Sequence, residues 1–72
     1  MSLKPLTALN NALNNRVIVE LKGRKEFRGI LDGYDLHMNL VLKEAQEIVN
    51  GESVREIPLT ILRGDNVIYI SP

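Results

Sequence analysis

Asp35, His37, Asn39, Arg63 and Asp65 are the side chains of this sequence whose types and spacing could act together, and they fall in two polar islands. The first, Asp32-Gly33-Tyr34-Asp35-Leu36-His37-Met38-Asn39, places two carboxylates, a tyrosine, an imidazole and an amide just before the apolar run Leu40-Val41-Leu42. An ordinary hairpin needs only Gly, Asn or Asp at its corner. His37 and Asn39 flank Met38 at the period of a strand, which predicts that both project the same way. Two side chains on one face can hold one flat ligand. The second island, Arg63-Gly64-Asp65-Asn66, also lies between apolar runs and is the natural partner of the first. Together the two islands suit a nucleobase.

The same residues make a poor catalytic set. Asp32, Asp35 and His37 could offer three metal ligands, but they share one loop, with no second His and no Cys in the chain, which is a weak donor set. No nucleophile stands beside a base, and no glycine loop could cradle a phosphate. The chain therefore reads as a binding protein with no metal or other cofactor. Asp32 receives no assignment.

The elements that must position these islands are short. Seventy-two residues with 44% hydrophobic content make one domain, spanning 1–72, because a chain this short cannot divide into two cores. Such small cores usually need a staple; with no cysteine present, self-association is the expected one. The apolar pattern offers no membrane span and no signal peptide, so a cytoplasmic protein is expected. Nine basic and nine acidic residues cancel, which argues against coating duplex nucleic acid by charge alone. The basic run Lys22, Arg24, Lys25 and Arg28 reads as a solvated edge.

Pro5 followed by Leu6, Leu9 and Leu13 predicts a helix over about 5–14, with its leucines against the core. Alternation then predicts strands from Arg16 to Lys22, from about Lys25 to Tyr34, from Met38 to about Ile48, from Ser53 to Leu62 and from Val67 to Ile70. Gly29 and Gly33 within the second strand mark bends or close backbone approach. The pattern breaks around Lys43 to Ala45, which predicts a bulge, and Asn50-Gly51 predicts a tight hairpin. Pro58 predicts an edge or an irregularity in the fourth strand. A helix followed by five short, bent antiparallel strands makes a mostly β, small closed barrel. The fourth and fifth strands would leave apolar edges in a monomer, and pairing these edges between copies makes a ring.

Gly29-Ile30-Leu31, then Asp35, then Met38-Asn39-Leu40 resembles the first motif of the Sm and Sm-like family, within about 16–48. Leu62-Arg63-Gly64-Asp65-Asn66-Val67 resembles the second, within about 53–70, and His37 before Met38-Asn39 is similar to the archaeal branch. Leu62 stands where the second motif usually has Ile, a conservative change; the Tyr-Lys-His motif of the bacterial Hfq branch is absent. The resemblance implies the bent Sm barrel, related to SH3-like and OB-like barrels. It also implies homo-oligomeric rings, commonly heptameric, joined through the fourth and fifth strands. Uridine-rich single-stranded RNA would bind at the central pore, in RNA processing or ribonucleoprotein assembly. A ring scaffold for protein partners, without RNA selectivity, is the alternative.

On that reading His37 and Arg63 would sandwich a uracil, Asn39 would read its edge and Gly64 would let the backbone approach. Asp65 would hold the Asn39 amide in one orientation, because a carboxylate only accepts hydrogen bonds. Asp35 would brace the loop through backbone N–H groups, with Met38 in support. Tyr34, with Lys4 and Asn10 on the helix, could make a second RNA contact; the plainer reading of Tyr34 is packing against the helix.

Overall fold

The computed structural model describes residues 3–72. Helix α1 (Pro5–Ala12) leads into β1 (Arg16–Leu21), β2 (Lys25–Tyr34), β3 (Leu40–Val49) and β4 (Glu52–Leu62), followed by a single 3₁₀ turn (Gly64–Asn66) and β5 (Val67–Ser71). Pro5 occupies the first helical position, where its missing N–H costs nothing. The helix stops at Ala12 rather than at 14. Asn14 takes a left-handed φ of 67° and gives its N–H to the Leu31 carbonyl at 2.7 Å, which turns the chain into β1. Of the helical leucines only Leu9 is buried; Leu13 is half-buried and Leu6 is exposed.

The strands form one antiparallel sheet in the order β4-β3-β2-β1-β5. Alternate residues face the core, which gathers Val17, Val19, Phe27, Leu31, Leu40, Leu42, Ala45 and Leu62 around Leu9. The sheet bends where β3 carries an extra residue. Arg28 pairs with Gln46 but Ile30 pairs with Lys43, and Glu44 in the bulge has a φ of 50°. Gly29 makes that bend possible, since a Cβ there would lie 2.9 Å from the Lys43 carbonyl oxygen. The β3–β4 corner is a two-residue turn with φ of 51° at Asn50 and 83° at Gly51, both positive as a type I′ hairpin requires.

The barrel does not close within one chain. Both β4 and β5 are edge strands, with no ladder between them among the described residues. Leu59, Ile61, Ile68 and Tyr69 are exposed there, and Pro58 lies within β4, an edge strand of the kind in which proline is tolerated. The sequence reading placed no charge in the interior, yet Glu47 is buried. Its carboxylate accepts from Arg55 Nε at 2.5 Å and lies 3.9 Å from Lys25 Nζ, which ties β3 to β4 and β2. Asp32 is engaged by Lys43 at 3.5 Å.

Candidate nucleobase site

The first island ends β2 at Tyr34 and then forms a turn, not the start of a strand. Residues 35–39 lie between β2 and β3, Met38 takes a φ of 64°, and the Met38 N–H donates to the Asp35 carbonyl at 3.1 Å. His37 and Asn39 therefore owe their directions to turn geometry rather than to strand alternation. Asp35 organises the turn. One carboxylate oxygen accepts the backbone N–H groups of His37 at 2.9 Å and Asn39 at 3.0 Å, and the other accepts the Asn39 side-chain NH₂ at 2.9 Å. The Asn39 amide first, then the two backbone N–H groups and the nearby imidazole, hold the Asp35 carboxyl below the usual carboxylate range.

The second island docks onto this turn through Gly64. Its N–H donates to the Asn39 side-chain oxygen at 2.8 Å. A Cβ on Gly64 would sit 1.8 Å from the His37 carbonyl oxygen and 2.9 Å from the carbonyl carbons of His37 and Met38. Only glycine fits, and what approaches its backbone is the other island. Asn66 closes the 3₁₀ turn by donating to the Arg63 carbonyl at 3.0 Å, and its own carbonyl accepts the Lys22 N–H at 3.0 Å.

The Asn39 amide is thus fixed at both ends. Its NH₂ faces a carboxylate that can only accept and its oxygen faces an N–H that can only donate, so a flip would oppose like groups at both contacts. The carboxylate concerned is Asp35. Asp65, expected beside Asn39, instead pairs with Arg63 at 3.2 Å, because the 3₁₀ turn carries its side chain toward its own neighbour. Asn39 keeps one N–H and one lone pair free of these anchors.

His37, Met38, Asn39, Arg63, Gly64 and Asp65 line one shallow depression. Arg63 and Asp65 are largely exposed, and His37 is exposed as well. Tyr34 lies apart from this group. Its hydroxyl donates to the Leu6 carbonyl at 3.3 Å, and its ring lines a second depression that shares Asn39 and Arg63 with the first but includes neither Lys4 nor Asn10. Lys4, the residue before α1, and Asn10 on the helix are both exposed. Asp32, Asp35 and His37 form no metal-ligating group among the described residues.

The sequence reading missed the bond from Asp35 to the Asn39 amide and the link from Lys22 to the second island. Neither had a local signal: the Asx-turn pattern of Asp35 points to backbone N–H groups, not to the side-chain amide that it also holds.

Comparison with known proteins places this geometry among relatives. The LSM domain family model matches residues 7–72. The chain is 61% identical over its full 72 residues to an Sm-like protein of Methanococcoides burtonii, all of which is covered. It is 57% identical to one of Archaeoglobus fulgidus, with 100% of this chain and 94% of that one covered. Among solved structures, the Pyrococcus abyssii Sm protein in complex with a uridine heptamer matches with a TM-score of 0.94 and 46% identity over 97% of this chain and 99% of that one. A heptameric archaeal Sm protein matches with a TM-score of 0.85 and 38% identity over 92% and 96%.

Proposed function

The chain belongs to the LSM domain family, and from that premise we propose that it assembles into a homo-oligomeric ring that binds uridine-rich single-stranded RNA in the depression between its two polar turns. The observation that carries this reading is the doubly anchored Asn39 amide. With its orientation fixed, the remaining N–H and lone pair form a donor beside an acceptor. Uracil offers the complement, a carbonyl beside its ring N–H, whereas cytosine offers an acceptor and an amine in the opposite order. The His37 imidazole and the Arg63 guanidinium supply flat faces for the base, worth about 1–3 kcal/mol per stacked base by analogy with aromatic platforms. Asp65 acts through its ion pair as a brace for Arg63. Gly64 holds the two turns in contact, and Asp35 sets the reading edge.

The solved relatives support both halves of the reading, since one is described with a uridine heptamer and another as a heptamer. The free β4 and β5 edges, with their exposed apolar side chains, fit pairing between copies. Tyr34 belongs to the fold more than to the ligand, because its hydroxyl is engaged by the helix. Lys4 and Asn10 remain available for a second, weaker contact on the helix side. The seating of RNA on this ring suits a role in RNA processing or ribonucleoprotein assembly.

Titration of oligo(U) and oligo(C) at one fixed salt concentration, against wild type and Asp35→Asn, tests the reading. Asp35→Asn preserves shape but lets the residue donate toward the Asn39 NH₂, so the preference for uridine should narrow. A preference that stays as wide as in wild type removes Asp35 from the reading edge. Equal affinity of wild type for the two oligomers defeats the site as a whole.

A further inference from the structure

Met38 stands between the base site and helix α1. A φ of 64° is unfavourable for a residue with a Cβ and persists only where surrounding structure enforces it. The enforcement comes from two sides. On the site side its N–H is held by the Asp35 carbonyl and its own carbonyl carbon packs against Gly64. On the other side its half-buried side chain packs against the apolar core and lines a hollow between Pro5, Ala8 and Leu9 of α1 and the β5 run from Val67 to Ile70. The same residue borders the base depression with His37 and Asn39.

We propose that Met38 is a positioning residue through which helix α1 holds the base site in its binding shape. The helix docks through Leu9, the Met38 side chain is seated beside it, and the seated side chain keeps the turn left-handed. His37 and Asn39, on either side, are thereby presented to the ligand. An unbranched thioether suits this place because it can follow the helix surface without a branch at Cβ to oppose the backbone. The helix then contributes to base selectivity without touching the base. This proposal rests on the uridine reading of the depression.

The test measures a uridine heptanucleotide and a cytidine heptanucleotide against the assembled protein at one salt concentration. If loss of the anchor leaves the turn in its binding shape about a tenth of the time, apparent affinity falls about tenfold. Met38→Ala is expected to weaken uridine binding by about that factor, with a narrower uridine-to-cytidine ratio and the oligomer intact. Met38→Leu, which restores apolar volume, is expected to recover most of the loss. Unchanged affinity and ratio in Met38→Ala overturn the proposal, as does a loss in Met38→Ala that Met38→Leu fails to recover. Where Met38→Ala does not assemble, Leu9→Val loosens the helix side by one methylene, and it should weaken uridine binding by about twofold to threefold; no change there overturns the proposal equally. His37→Ala separates the two failures. If it abolishes uridine binding while Met38→Ala and Leu9→Val do nothing, the site stands and the coupling to the helix falls.

Discussion

The Asn39 side-chain oxygen accepts the Gly64 backbone N–H at 2.8 Å, joining two turns that lie 25 residues apart in sequence. This bond and the one from Asn39 to Asp35 form a chain from the first polar island to the second. A disturbance at any member is therefore felt at the reading edge.

Gly64→Ala places a methyl group against the His37 carbonyl, and the conflict is with backbone, which cannot rotate away. The two turns must separate. Overpacking of this kind costs about 1–3 kcal/mol, and uridine binding should be lost with it. Thermal unfolding and oligo(U) titration of the variant read the two effects; a stable variant with wild-type affinity would show that the islands need not touch.

Asp65→Asn removes the charge that holds Arg63 but leaves both anchors of Asn39 in place. It should weaken oligo(U) and oligo(C) by similar factors and preserve their ratio. Arg63→Ala should do the same more strongly, by about 1–3 kcal/mol, the scale of one stacked base. A changed ratio in Asp65→Asn would return the orienting role to Asp65.

The depressed pKa of Asp35 fixes the direction of a pH effect. An unfolded Asp takes up its proton near pH 3.9, whereas the folded carboxyl resists protonation until lower pH. Between those points the unfolded state binds more protons, so the contribution of Asp35 to stability is complete above the unfolded value. It is lost as pH falls through the folded one. Amide resonances of His37 and Asn39, whose N–H groups Asp35 accepts, should shift together in that acidic range. Asp35→Asn should abolish the shift, and its survival would assign the titration elsewhere.

Ile61→Pro and Ile68→Pro each place a proline on an exposed edge strand. Each removes one N–H and clashes locally, so native mass spectrometry should show the ring lost or reduced while the monomer remains folded. Rings that persist in both variants would mean that assembly uses another surface.

Arg55 and Glu47 are unequal partners, since the glutamate is buried and the arginine mostly exposed. Arg55→Met leaves the carboxylate with only the more distant Lys25, at a cost of about 1.5–3 kcal/mol for a lost charged hydrogen bond. Glu47→Leu should be near neutral, because an apolar group of similar volume avoids burying a charge. Chemical denaturation of the two variants orders them, and the opposite order would refute the asymmetry.

The number and order of the strands, the tight corner at Asn50-Gly51, the bulge within Lys43 to Ala45 and the membership of both polar islands were determined by the sequence alone. Each depends on local periodicity or on the backbone preference of one or two residues, which neighbouring positions display directly. The tertiary structure decided which carboxylate faces Asn39. Asp35 and Asp65 are chemically equivalent acceptors, and the choice between them turns on distances of a few ångströms across two separate turns. The same applies to Gly64, whose role comes from the His37 carbonyl beside it, and to Met38, whose left-handed backbone removes His37 and Asn39 from the strand alternation their spacing suggests. The buried Glu47 is of this kind as well. Periodicity fixes which face a residue takes within its own element, whereas a hydrogen bond or a steric conflict depends on where a second element lies, and only the packed chain sets that distance.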